Sequence, residues 1–172
     1  MVKTFFNTNM DRVTDTINFD PSGLIPNNDL HLLGTRYPTD KWAHGYLKIY
    51  HDFLLPFRNK DIAVVELGVY HCASILLWRD FFPKAIIFGV DINFPSETTK
   101  FISDTRSNII FVQADSARPD LPPELINFIS NVPECERWRI PGNKGSGIDF
   151  VIDDASHLQY DMMTSLSNFL PY

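Results

Sequence analysis

The sequence predicts an α/β fold, a parallel β-sheet with helices on both faces. Two observations carry this expectation. Four short runs, residues 61–67, 85–91, 108–115 and 148–154, are apolar almost throughout, and each finishes at or beside an acid. Between them lie stretches whose apolar residues recur at three- and four-residue spacing, the period of a helix packed along one side. Strands that are apolar on both faces belong in parallel sheets, where crossover helices cover both sides.

Taken in order, residues 1–36 are rich in Asn, Asp, Thr and Pro and show no stable period, so they read as an arm or irregular lead-in to a domain over 37–172. "TDKWAHGYLKIYHDFLLPF" opens that domain as a helix. Thr39 or Asp40 can cap its free N–H groups, Pro56 stops it, and Trp42, Tyr46, Ile49 and Phe53 form one apolar face. "DIAVVEL" is the first strand, and "SILLWRDFF" is the helix after it, stopped by Pro83. "AIIFGVD" and "NIIFVQAD" are the next strands, separated by "PSETTKFISDT", a short helix with Ser96 as cap. Pro122 and Pro123 open the helix "PPELINFIS", since proline is tolerated in a first turn. A loop over 133–147 leads into "IDFVIDD", the last strand, and "QYDMMTSLSNFL" is the last helix.

Composition narrows the function. A chain of 172 residues, 44% hydrophobic and 21% charged, fits one ordinary domain with a core. A net charge of -6 and a pI near 5.2 give no basic footprint for nucleic-acid backbones. Cys72 and Cys135 form no CxxC and lie beside no zinc-spaced histidine, which argues against a disulfide framework and for a reducing compartment. No secretory signal and no run of bilayer length is visible. The expectation is a cytoplasmic protein with no membrane partner.

In open parallel sheets, ligands bind at the carboxyl ends of the strands. There the sequence puts Glu66, Asp91, Asp115 and the pair Asp153 and Asp154. One acid after a strand is usually a cap or turn residue; a series on one edge points to a shared pocket. Asp91 follows Gly68 by 23 residues, close to the spacing at which an acid accepts from ribose hydroxyls. A dinucleotide such as NAD and S-adenosylmethionine both fit. The turn "ELGVYHCAS" separates them: Gly68 and Ala73 suit a dinucleotide fingerprint, but Tyr70 stands where a glycine must let a pyrophosphate approach. NAD therefore ranks below the methyl donor.

"TDKWAHGYLKIY", "VVELGVYHCASILLWRDFFPKAIIFGVDI", "FVQADS" and "IDFVIDDASH" together resemble the class I S-adenosylmethionine-dependent methyltransferases. The likeness is greatest to the metal-dependent macrolide-sugar O-methyltransferases of the mycinamicin type and to cephalosporin-hydroxylase-like proteins, over about residues 34–172. The resemblance implies a Rossmann-like domain in which Glu66 and Gly68 line the methionine part of the donor and Ser74 lies near its carboxylate. It implies that Asp91 holds the ribose, that Asp115 and Ser116 sit by the adenine, and that Asp153 is a further donor contact. It also makes Asp154 a magnesium ligand and His157 the base for an acceptor hydroxyl. Such a hydroxyl is a poor nucleophile, so a base and a cation for the developing alkoxide suit the chemistry. The structural alternatives are that Asp153 caps the last helix and that His157 is a surface histidine in its first turn.

Three departures accompany the resemblance. Cys72, Ala73 and Ala155 stand where the family usually has glycine, and Lys41 of "TDK" has no evident role beyond a solvated charge. Only about the first four strands of the family's sheet are readable, and the acid pair that completes its metal site is not. This reads as a domain incomplete at its C-terminus, with an open edge that favours association, including with a second copy. The leading function is metal-assisted O-methylation of a hydroxyl on a sugar or other small molecule. A non-catalytic donor-binding or interaction module and an NAD-dependent enzyme are the alternatives. The acceptor is not named by any residue pattern.

Overall fold

The computed structural model describes residues 3–5, 29–37, 39–94, 108–131, 147–156 and 158–171. Among these, the strands are β1 (Lys3–Phe5), β2 (Ala63–Leu67), β3 (Ile86–Asp91), β4 (Ile109–Gln113) and β5 (Phe150–Asp153). The helices are α1 (Asp29–Arg36), α2 (Asp40–Ala43), α3 (Tyr46–Leu54), α4 (Ala73–Phe81), α5 (Leu121–Asn131) and α6 (Gln159–Phe169). The sheet order is β1-β4-β3-β2-β5. All neighbours from β4 to β5 are parallel, while β1 runs antiparallel along β4. The α/β class and the four parallel strands are as the sequence predicts. The short helix expected around Ser96 and the 133–146 part of the loop lie outside the described residues.

Alternation along each strand divides the core. Val64, Ile87, Ile109, Phe111 and Ile152 pack on one side with Leu30 and Leu33 of α1, Leu47 and Leu54 of α3, and Ile75 and Trp78 of α4. Val65, Leu67, Ile86, Phe88, Val90 and Val112 pack on the other side with Leu121 and Leu125 of α5 and Phe169 of α6. Both faces are therefore covered, the condition under which nearly all-apolar strands are stable. Pro122 and Pro123 do sit in the first turn of α5.

Two local expectations change. The lead-in expected to be irregular as far as residue 36 contains α1, whose Leu30 and Leu33 are buried in the core. The helix expected from residue 39 onward is two helices. Gly45, at φ 73°, breaks it in the left-handed region that suits a residue without Cβ. Thr39 caps α2, accepting from the Lys41 N–H at 3.4 Å, and Pro56 lies in a 3-10 turn (Leu55–Phe57) after α3.

The buried face is also different. Trp42, Tyr46, Ile49 and Phe53 are exposed, Phe53 by 73%, whereas Leu47, His51 and Leu54 are buried. Both stripes satisfy the helical period, and the buried one contains a histidine, which makes it the less apolar on paper. His51 packs its ring on Phe81, and its Nδ1 has no hydrogen-bond partner among the described residues.

Burying Leu33 predicts that Leu33→Ala costs about 2–5 kcal/mol in urea unfolding, while Phe53→Ala stays within about 0.5 kcal/mol. Burial also holds the His51 imidazole below its usual value of 6.5. The unfolded chain then binds more protons than the folded one below that value, so His51 makes stability fall as pH drops through this range. Unfolding measured from neutral to mildly acidic pH should show a smaller loss for His51→Phe than for the unaltered chain.

Candidate functional site

A cleft opens at the carboxyl edge of the sheet, above β2. One wall is Thr39, Asp40 and Lys41 at the start of α2; the second is the turn from Gly68 through Ser74; the third is Asp154 beyond β5. The topology explains the position. From β2 the chain crosses to β3 and β4 on one side, and β5 docks on the other, so the cleft sits where the strand order reverses.

The register lines up the strand ends. Leu67 pairs with Val90 on β3 and with Asp153 on β5, and Asp91 pairs with Gln113 on β4. Three backbone bonds extend these ladders: Gly68 N–H to Val90 O, Asp154 N–H to Leu67 O, and Ala114 N–H to Asp91 O. Asp115, Asp91, Gly68 and Asp154 consequently stand side by side along one edge.

The individual side chains do different things there. Gly68, Ser74 and Asp154 line the cleft. Glu66 is fully buried behind the wall that Lys41 and Ser74 present. Its Oε1 accepts from Lys41 Nζ at 3.0 Å and Trp78 Nε1 at 3.2 Å, and its Oε2 accepts from Ser74 Oγ at 2.8 Å. Asp91 secures the turn: its Oδ2 accepts from the N–H groups of Val69 and Tyr70, at 2.8 and 3.1 Å, and its Oδ1 from Asn93 N–H. Asp115 is exposed and accepts from Ala117 N–H at 2.9 Å, with Ser116 half-buried beside it. Asp153 accepts from Ala155 N–H, and its carboxyl is pushed up by burial, opposed by Ala155 and by Ser165 of α6. His157 lies outside the described residues.

Lys41 is the residue that sequence reasoning missed. It is 3% exposed, and its ammonium bridges Glu66 and Asp154. Burial alone would lower its pKa, but the two carboxylates outweigh burial and hold it above the usual lysine range. Burial pushes the Glu66 carboxyl up, opposed by Lys41, Ser74 and Trp78. The only signal in the sequence was a lysine inside a stretch resembling a family motif.

The turn itself is strained in a telling place. Tyr70 and Cys72 have φ of 46° and 65°. Position 72 lies in the left-handed region, which favours glycine and leaves cysteine here at a conformational cost. Gly68, at φ 83°, is required twice over. A Cβ there would lie 2.4 Å from Asp154 O and 2.5 Å from Ala155 Cα.

As a magnesium site, these residues are incomplete. Asp154 supplies one carboxylate, which already carries the Lys41 ammonium, and no group of three His, Cys, Asp or Glu gathers among the described residues. Magnesium takes an octahedron of oxygen ligands, so further ones would have to come from elsewhere. The cleft fits a small organic ligand better, because it offers hydroxyl, backbone and carboxylate groups together.

Comparison with known proteins agrees with this geometry. No protein-family model matches the chain. Over 152 residues it is 28% identical to the L-olivosyl-oleandolide 3-O-methyltransferase of Streptomyces antibioticus, covering 83% of this chain and 34% of that one. Over 153 residues it is 26% identical to the mycinamicin VI 2''-O-methyltransferase of Micromonospora griseorubida, covering 84% and 33%. The structure of the MycE methyltransferase from the mycinamycin biosynthetic pathway, in complex with Mg and SAH, matches with a TM-score of 0.55 at 25% identity, over 83% of this chain and 31% of that one. The chain is thus similar to these O-methyltransferases and shares the fold of the MycE methyltransferase over the matched part. It spans about a third of the length of the curated relatives it matches. No helix among the described residues is long and apolar enough to cross a membrane.

Gly68→Ala is expected to lose more than about 1 kcal/mol of stability, because a left-handed backbone and a blocked approach act together. Urea unfolding measures the loss.

Proposed function

We propose that this chain is the donor-binding part of an S-adenosylmethionine-dependent O-methyltransferase acting on a hydroxyl of a sugar or other small molecule. The observation that carries the reading is the alignment of Asp115, Asp91, Gly68 and Asp154 along one sheet edge beside the Gly68–Ser74 turn. Both curated relatives named above are O-methyltransferases, which supports the same chemistry.

The donor supplies an activated methyl group on a sulfonium sulfur. Gly68 and Ser74 would line its amino-acid end, Asp91 its ribose, and Asp115 with Ser116 its adenine side. Asp91 can serve the ribose while still holding the turn, since each carboxylate oxygen has two lone pairs. Asp153, directed at α6, would support the donor wall through Ser165 and Ala155. Asp154 would face the acceptor and contribute one oxygen to a magnesium ion like that in the MycE structure. His157 would take the acceptor proton. The partner class is a small molecule bearing a hydroxyl, handled in the cytoplasm.

A dinucleotide fits less well. Tyr70 occupies the approach, and the Asp91 carboxylate takes the Val69 and Tyr70 N–H groups. A donor-binding module without turnover is the second reading, favoured by the single carboxylate at Asp154 and its pairing with Lys41.

Titration calorimetry tests the donor assignment: S-adenosylhomocysteine should bind and NAD should not, and Asp91→Ala should weaken binding by at least about tenfold. Binding of NAD alone would revive the dehydrogenase reading. Methyl transfer to a glycoside, followed with labelled donor, should vanish in Asp154→Ala and in His157→Ala; undiminished turnover in either removes that residue from the mechanism.

A further inference from the structure

Lys41 stands where the three walls of the cleft meet. It extends from α2, whose Thr39 and Asp40 form the first wall. Its ammonium bonds Glu66, which holds the Ser74 hydroxyl of the second wall, and Asp154, which is the third. One cation thus ties together segments that begin far apart in the chain. No other ion pair among those described joins α2 to the strand ends.

We propose that Lys41 is a positioning residue of the donor site, its ammonium fixing the separation of the three cleft walls so that donor affinity depends on it. The proposal rests on the donor-binding reading above. Without the ammonium, Glu66 and Asp154 lose their shared counter-charge, and the start of α2 loses its tether to the sheet. Glu66 acts through Lys41 and Ser74, since it is fully buried and does not line the cleft.

A lysine that merely stabilised the fold would behave differently. Replacing a buried ion pair by neutral groups is often harmless to stability, whereas removing one partner is not. Lys41→Met should therefore melt early, and adding Glu66→Gln should recover much of the melting temperature. Affinity for S-adenosylhomocysteine, measured by calorimetry on the full chain, separates the two roles. Glu66→Gln alone should bind within about threefold of the unaltered chain, and Lys41→Arg should retain most of the affinity. Lys41→Met with Glu66→Gln should fold yet bind at least about tenfold more weakly. Full affinity in that double variant would make Lys41 purely structural and overturn the proposal. So would Glu66→Gln alone binding as weakly as the double, which would assign the effect to Glu66. Absence of binding by the unaltered chain would overturn the donor reading and the Lys41 role with it.

Discussion

The constraint on which this structure depends is a carboxylate with no access to water. Glu66 lies on β2, an interior strand flanked by β3 and β5, and is fully buried. A charge in that position is tolerable only if paired and fully hydrogen-bonded. Lys41 of α2, and Ser74 and Trp78 one turn apart on α4, meet that demand. Satisfying Glu66 therefore fixes α2 above the strand ends, orients α4 through Trp78, and sets Ser74 at the mouth of the turn. The walls of the cleft converge on the bonds made among Lys41, Glu66, Ser74 and Asp154.

A second constraint acts at the turn. Departures into positive φ at Gly68, Tyr70 and Cys72 mark a segment that must leave β2 and enter α4 within a few residues. The Asp91 carboxylate, arriving from the neighbouring strand, offsets that strain by accepting two N–H groups of the segment. The acid that looks like a ligand contact in the sequence is thus also the brace of the loop that would contact the ligand. Both roles call for a carboxylate at the end of β3, and neither conflicts with the other.

How much of this was legible follows from what periodicity can encode. The strands were readable because burial on both faces leaves them almost uniformly apolar, and the acids at their ends mark the edge. α1 was not, because Leu30 and Leu33 are two apolar positions inside an Asn- and Pro-rich segment, too few to establish a period. The buried side of α3 was misread because two stripes compete and His51 disguises the correct one. Lys41 was unreadable for a deeper reason. A lone lysine carries no pattern, and its burial follows from the meeting of residues 41, 66 and 154, which only the register of β2 against β5 brings about. Asp153 and Asp154 show the same limit: adjacent acids on a strand end point to opposite faces, one to α6 and one to Lys41.

The pairing of β2 with β5 has a consequence for biosynthesis. β2 is complete at Leu67, yet its second neighbour begins at Phe150. On the ribosome, Lys41 and Glu66 emerge long before Asp154, and closing so long a loop is entropically unfavourable and slow. The nascent chain can assemble β2, β3 and β4 with α4 first, leaving the flank of β2 bare until β5 arrives. The cleft can thus be completed only after β5 has emerged, and a nascent chain released before then would present an unguarded strand to chaperones.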